Sequence, residues 1–397
     1  MNFINSILLQ ISEISKQRFK FMVTLFKTIL AVPSKITFRN LSRYCHLSEK
    51  TISRNFRKTF DFLQLNLNLL KNVIDRTATL ILAIDCTFIK KSGNKTYGLA
   101  KFYNGSNKRP EKGLELCLVS LVEPVLNTAF ALLGKQTPPE LAENVTRVDF
   151  YLKCLHDIIA SVPQKVKYLV ADGFFAKLKF VEGVLALKLN LISKLRVDAN
   201  LKHLYHGEQK KRGRPKLFDS KVKFDDLSRF ERVDACDEQL SLYTAVVYCV
   251  NLCRKVRIAL LVNESIKNKF SYAVLFSTNP QQDALEIYKF YKSRFQIEFI
   301  FRDAKQFCGL GDCQARKKEA IDFHVNACFS VLNCAKIEAL SEHDFKEEFS
   351  FSMASAKRKA YNELFLEKIF SMLGFDFSLN KPDPDVKELI DFGSIAA

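Results

Sequence analysis

Tryptophan is absent from all 397 residues, and abundant Lys, Asn, Ile and Phe accompany that absence, the usage of an AT-rich coding genome. Long apolar runs are missing as well. The longest near the start, FMVTLFKTILAV, falls short of the roughly 20 residues a bilayer span requires and contains Lys27. No basic segment leads into an apolar stretch and a small-residue cleavage site, so no secretory signal is expected. A soluble, cytoplasmic, nucleoid-associated chain with no membrane partner is therefore expected. The eleven Cys are odd in number and follow no disulfide framework, which fits reduced thiols in a reducing compartment. Cys308, Cys313, His324 and Cys328 can be arranged into a zinc site on paper. Their spacing matches no usual finger, and Cys328 and Cys334 sit in an apolar, helix-like run, so zinc is not expected.

Acidic residues are scarce too. Asp plus Glu number 43 against 61 Lys plus Arg, a formal net charge of +18. On a chain that is 48% hydrophobic, and so able to pack two or three cores, that excess favours a polyanionic partner. Nucleic acid comes first and an anionic membrane surface second, with plain solubility as the bland alternative.

The first 76 residues read as helical. Within them, ITFRNLSRYCHLSEKTISRNFRKTF has the layout of a helix-turn-helix. A first helix near Phe38 to Tyr44 precedes a turn at Cys45 to Leu47, and Ser48 is a natural N-cap for a second helix. Ile52, Phe56 and Phe60 repeat at i,i+4 and turn inward; Lys50, Ser53, Arg54 and Arg57 turn outward, as a recognition helix requires. An ordinary small helical domain is the alternative.

Strands follow. TLILAIDCTFI is a near-continuous apolar run, then come YGLAKFY, GLELCLVSLVEP and NTAFALLG, bounded by Gly, Asn and Pro turn signals. VTRVDFYLKCLHDIIASV is an amphipathic helix, KVKYLVADG a second buried strand, Lys177 to Leu189 a helix, and LISKLRV a strand. A meander that passes into strand–helix alternation predicts a mixed sheet covered by helices. Residues 196–275 read as a β-rich insertion opened by a basic loop, HLYHGEQKKRGRPKLF. Residues 276–335 return to helix and 336–397 are largely helical, with a loosely ordered end from about Lys381.

Within that second helical part, YKSRFQIEFIFRDAK (residues 291–305) is unusual. Taken as one straight helix with Tyr291 at zero, Arg294 falls at about 300°, Glu298 at about 340°, Arg302 at about 20° and Lys305 at about 320°. These five polar residues share one stripe. Phe290, Ile297 and Phe301 flank it on one side, Phe295 and Phe299 on the other. Such a helix looks buried, with a charged ribbon facing something other than lipid or bulk water. Ion pairs within the helix, Arg294 to Glu298 or Glu298 to Arg302, are the alternative.

Asp85 in LILAID and Asp172 in YLVAD lie at or near the ends of apolar strands, where a lone carboxylate would be desolvated and needs a partner or a metal. Either one is also read as a simple loop cap. Phosphodiester chemistry needs two divalent ions, and carboxylates suit Mg²⁺. Glu298, in mid-ribbon, is the natural third ligand; Asp303 and Glu286 are rivals that point off the ribbon. Arg294, Arg302 and Lys305 would then neutralise or position DNA phosphates.

The spacing Tyr291-x2-Arg294-x3-Glu298-x6-Lys305 resembles the Tyr–Arg–Glu–Lys signature of the insertion sequence four family of bacterial DDE transposases. LILAID and YLVAD look like that family's first and second acidic motifs, and the chain between Asp172 and Glu298 has room for the insertion. The likeness covers about residues 80–335. It implies a ribonuclease-H-like α/β core, 77–195 and 276–335, interrupted by the insertion and preceded by an all-α DNA-binding domain. It further implies that Asp85, Asp172 and Glu298 are catalytic and bind two Mg²⁺, with Mn²⁺ as a substitute. Tyr291, Arg294 and Lys305 would hold DNA backbone near the cleaved end. Such enzymes cut one strand at each transposon terminus, and the freed 3′-hydroxyl attacks target DNA. One departure stands out. Some members stack a flipped base on a Trp in the insertion, and this chain has none.

Lys210-Lys211-Arg212-Gly213-Arg214-Pro215-Lys216 has the core of a minor-groove AT-hook, with Lys211, Arg212 and Arg214 as the DNA-contacting residues. A solvated loop is the alternative. The leading expectation is a transposase acting on double-stranded DNA as a homodimer when two ends are synapsed. A metal-dependent nuclease without strand transfer, and a non-catalytic DNA-binding protein derived from a transposase, are the competing readings.

Overall fold

The computed structural model describes residues 2–9, 11, 14–233, 240–263, 271–341, 343, 345 and 347–395. Five helices lead: α1 (Asn2–Leu9), α2 (Lys16–Ala31), α3 (Phe38–Tyr44), α4 (Glu49–Phe56) and α5 (Phe62–Arg76). Ser48 caps α4, its hydroxyl accepting from the Thr51 amide at 3.2 Å, and Ile52 and Phe56 are buried as the pattern predicts. The helix stops at Phe56 with Arg57 as its C-cap. Phe60 therefore lies beyond the helix, where its ring meets Phe62 edge-on at 4.9 Å.

Strands β1 (Ile81–Lys90), β2 (Ala100–Asn104), β3 (Arg109–Glu123) and β4 (Thr128–Gln136) form the meander. Helix α6 (Arg147–Ile159), β5 (Tyr168–Ala171), α7 (Leu178–Ala186) and β6 (Asn190–Leu195) supply the alternation. The stretch read from sequence as an insertion carries β7 (Leu201–Leu204), β8 (Phe218–Lys221), β9 (Glu231–Val233), β10 (Leu240–Cys249), β11 (Arg254–Asn263) and β12, which runs just past it (Ser271–Ser277). It does not form a sheet of its own. Strand β12 pairs antiparallel with β6, so one mixed sheet runs β2-β3-β1-β5-β6-β12-β11-β10-β7-β8, with β4 on β3 and β9 on β10. Among the described residues only the β1–β5 and β5–β6 pairs are parallel.

Both faces of the central strands are covered, which is why they read as unbroken apolar runs. Ile81 and Ala83 of β1 point into one core, Leu82 and Ile84 into the other. Helices α6 and α7 close the second face. The first carries the N-terminal helices together with α8 (Ala284–Ser293), α9 (Gln296–Gln306) and α10 (Lys318–Leu340).

Helix α10 also shields the open edge of β4. Asn326 exchanges hydrogen bonds with the Gly134 amide (2.8 Å) and carbonyl (3.0 Å), and Asn333 does the same with Ala131 (3.0 and 2.8 Å). Asn66 of α5 donates to the Leu132 carbonyl at 2.9 Å, and Lys336 to that of Ala129 at 2.9 Å. Side-chain amides and one ammonium thus pair backbone groups that a neighbour strand would otherwise take.

Helices α11 (Met353–Met372), α12 (Phe377–Asn380) and α13 (Pro384–Asp391) end the chain. The loosely ordered tail expected from Lys381 is instead a helix. Asn362 of α11 donates to the Ile390 and Phe392 carbonyls at 3.0 and 2.9 Å, and Lys359 pairs with Asp391 at 2.7 Å. Short polar sequence hid a docked helix whose contacts come from a distant partner. No helix among the described residues is long and apolar enough to cross a membrane.

Candidate active site

Strand register puts the two aspartates side by side. Ile84 of β1 pairs with Ala171 of the parallel strand β5, so the next residues are Asp85, in the middle of β1 and not at its end, and Asp172, just past the end of β5, on neighbouring strands about 4.8 Å apart. Alternation sets their direction. Asp85 shares the face of Ile81 and Ala83, Asp172 that of Val170, and all three apolar residues pack in the core that includes Ile297, Ile300 and Phe301 of α9. Both carboxylates therefore leave the sheet on the side α9 covers.

The helix bearing Glu298 is broken, not straight. Ser293 donates its hydroxyl to the Lys289 carbonyl at 2.9 Å, a back-bond that bends helices. The next amides reach only three residues back, Arg294 to Tyr291, Phe295 to Lys292 and Glu298 to Phe295. Arg294 sits at this joint between α8 and α9. Its Nη2 lies 2.8 Å from Glu298 Oε1 and its Nη1 3.6 Å from Asp85 Oδ2. The ion pair offered as an alternative to a metal site is therefore present, and it also joins the helix to the strand.

Electrostatics place Asp172 in the same group. Asp85 is pushed up to about 7, chiefly by burial, with the neighbouring charges of Asp172 and Glu298 adding to the effect. Burial also raises Asp172, against the pull of Arg294. Both carry local hydrogen bonds: Asp85 Oδ1 accepts from the Cys86 amide at 2.7 Å, and Asp172 Oδ1 from Phe174 at 3.0 Å, capping a 3₁₀ turn at Gly173–Phe175. Arg294 Nε is buried without a hydrogen-bond partner. One guanidinium thus faces three carboxylates. Hard oxygen donors with surplus negative charge fit a divalent ion in kind. As placed, they do not ring a common point: among the described residues no three His, Cys, Asp or Glu side chains could hold a metal.

The remaining ribbon residues divide. Tyr291 is half-buried, its ring 5.7 Å from the Arg294 guanidinium, and burial raises its hydroxyl. Lys305 is lowered by burial. Arg302 turns to Asp303, 2.9 Å away, and stacks on Phe299 at 4.5 Å, so the residue the straight-helix reading set off the ribbon is its partner. Phe295 is 48% exposed, so that flank is open rather than packed. Lys50, Arg54 and Arg57 are exposed on α4 and its C-cap, and Lys211, Arg212 and Arg214 on the loop between β7 and β8.

Sequence reading passed over Phe174 and Lys177. The Phe174 ring is 46% exposed two residues after Asp172, and the Lys177 ammonium sits 3.6 Å from its centre. An aromatic and a cation in the loop behind a strand-end acid were the available signal. The thiols and imidazole considered for zinc are buried: Cys328 donates to the Cys308 carbonyl at 2.9 Å, and His324 to that of Gly309 at 2.8 Å.

A search of curated proteins finds no match. Among solved structures the chain is similar to the NurA nuclease from Sulfolobus solfataricus, at 10% identity over 55% of this chain and 72% of that one; the TM-score of 0.23 is too low to carry an argument. The transposase DDE domain family matches residues 76–334, from just before β1 through most of α10. That span holds both aspartates, the broken helix and the insertion, and is well over half the sequence: the chain belongs to the transposase DDE domain family.

Proposed function

We propose that this transposase belongs to the insertion sequence four group, binds the terminal inverted repeats of its element, cleaves the ends and joins the 3′-hydroxyls to target DNA. The observation that carries the reading is the convergence of Asp85 and Asp172, from adjacent parallel strands, beneath a helix that presents Glu298. The strand order β4-β3-β1-β5-β6, with β3 antiparallel to both β4 and β1 and the last three parallel, supports a ribonuclease-H-like core with β7–β12 inserted before the glutamate helix.

DDE transposases depend on divalent metal, and Asp85, Asp172 and Glu298 are the residues that would hold Mg²⁺, with Mn²⁺ as a substitute, once Arg294 gives up the Asp85 and Glu298 oxygens and the three close on one point. A metal held there would supply Lewis-acid activation of the attacking oxygen and offset charge on the leaving one. The protein's own part is positioning. Arg294, Tyr291 and Lys305 would take backbone phosphates beside the cleaved bond, with Arg302 steering from the rim. Helix α4 would read the end through Lys50, Arg54 and Arg57, in the manner of a recognition helix.

Synapsis of two ends calls for a homodimer, and the apolar side chains exposed on the C-terminal helices, among them Phe365, Met372, Leu373 and Phe392, favour that region as the contact.

The test is incubation with a duplex carrying the element's end and Mg²⁺. Cleavage followed by strand transfer supports the proposal. Cleavage alone favours a simple nuclease, and binding without cleavage a repurposed DNA-binding protein. Asp85→Asn, Asp172→Asn and Glu298→Gln should each abolish chemistry while DNA binding survives.

A further inference from the structure

The basic loop between β7 and β8 is built, not merely exposed. At its base the Gln209 side chain clasps Lys216 twice: Oε1 accepts from the Lys216 amide at 2.8 Å and Nε2 donates to its carbonyl at 2.9 Å. Tyr205 braces the clasp, its hydroxyl donating to the Glu208 carbonyl at 3.0 Å and its ring lying 4.4 Å from the Lys216 ammonium. Lys216 is itself neutralised by Asp219 at 3.2 Å.

Above the clasp the chain changes character. Residues 210–215 are all exposed. Among the described residues, none of Lys210, Lys211, Arg212 and Arg214 has an ion-pair partner. Four like charges in five residues repel one another until a polyanion arrives. Gly213 sits at φ +101°, a conformation side chains rarely adopt, and an added Cβ would meet nothing within 4 Å. The glycine therefore answers a backbone requirement, not crowding within the protein. A Cβ-free point between two arginines is also what a slot about 6 Å wide would accept. The A·T minor groove is such a slot: narrow, strongly negative, and free of the guanine amino group that obstructs G·C pairs.

The fold gives the loop a place relative to the carboxylates. Along the sheet, β7 is six strand positions from β1, a path of about 29 Å at 4.8 Å per strand. That is within roughly one helical turn of DNA. We propose that residues 210–216 form a minor-groove reader for an A·T-rich stretch lying about one turn from the bond at the Asp85–Asp172–Glu298 site. The position, though not the groove preference, rests on that site being where DNA is cut.

The probes are fluorescent duplexes of one length bearing a central run of A·T, I·C or G·C pairs, titrated with the full chain. Inosine–cytosine keeps the minor-groove edge of A·T and the major-groove pattern of G·C. The A·T and I·C runs should bind roughly tenfold more tightly than G·C, the discrimination of one good groove contact. The double variant R212K/R214K retains charge and should keep affinity for the G·C duplex while losing the preference; R212A/R214A should lose the preference and some affinity for every duplex. An I·C run that behaves as G·C, or a preference that survives in either variant, overturns the proposal. A second arm moves an A·T run in five-pair steps along a cleavable end. Cleavage should be greatest with the run about ten pairs from the cut. An intact A·T preference with no cleavage at any spacing would count against the carboxylate site and leave the groove reader standing; cleavage indifferent to spacing would overturn the assigned position.

Discussion

Arg294 reaches within 3.6 Å of Asp85, joining the break between α8 and α9 to the strand that starts the sheet. The same guanidinium holds Glu298 at 2.8 Å, so one protein cation lies between two carboxylates proposed for metal. A metal ion and Arg294 must then compete for the same oxygens. In Arg294→Gln, Mn²⁺ binding to the DNA-free protein at pH 8, measured by calorimetry, should tighten by up to about fivefold, the scale of one partly exposed ion pair. DNA cleavage should fall, since the arginine freed by metal is the one assigned to phosphate. Weaker Mn²⁺ binding in this variant would mean that Arg294 organises the carboxylates instead of competing for them.

Asp85 gives a pH dependence with a definite sign. Its carboxyl is pushed up to about 7 from an ordinary 3.8, mainly by burial, so the fold favours the protonated form. That contribution is fully present below the ordinary value and is lost as pH rises through 7. Asp85→Asn should therefore match the metal-free parent near pH 4 and exceed it increasingly up to pH 8, by at most about 4 kcal/mol. Denaturant midpoints across that range measure it. Mg²⁺ should raise the parent's midpoint and leave the variant's unchanged.

Much of this site was legible in sequence because it depends on buried strands. LILAID and YLVAD announce them, and the acid that closes each apolar run is a local fact; Asp172 follows the last residue of β5, whereas β1 runs on past Asp85 to Lys90. Ser48, Ile52 and Phe56 fixed α4 by capping and periodicity in the same way. The joint at Arg294 was not legible. Every residue around it is compatible with helix, and the bend comes from the Ser293 back-bond and the packing of α8 and α9 against different strands. Nor did the sequence reveal that the insertion extends the core sheet, since pairing of β12 with β6 is set by tertiary register, not local pattern.

The same limit applies to α10, which reads as an apolar helix with polar interruptions. Those interruptions serve the edge of β4. Replacing Asn333 with Leu strands the Ala131 amide and carbonyl in the core. Unfolding stability should drop by about 3 kcal/mol, the cost of two unmet backbone groups. Chemical denaturation tests this, and a loss below about 1 kcal/mol would show that β4 needs no surrogate partner.

His324 provides a second titration away from the site. Burial lowers it to about 4 from 6.5, so the folded protein keeps it neutral. Its contribution to stability is present above pH 6.5 and is lost as pH falls towards 4, by up to about 3 kcal/mol. His324→Leu forfeits the bond to Gly309 at every pH but should show a flatter decline between pH 6.5 and 4. Parallel curves for parent and variant would exclude His324 as a source of acid sensitivity.

The central claim is that Asp85, Asp172 and Glu298 enclose one metal-binding centre when DNA is bound. Replacing Mg²⁺ with Fe²⁺ and generating hydroxyl radicals with ascorbate cuts the polypeptide beside the ion. The account predicts three clusters of cuts, around residues 85, 172 and 298, all suppressed by excess Mg²⁺ and all lost together in Asp172→Asn. Cuts at only one of the three, or a pattern indifferent to Mg²⁺ and to the substitution, would contradict it.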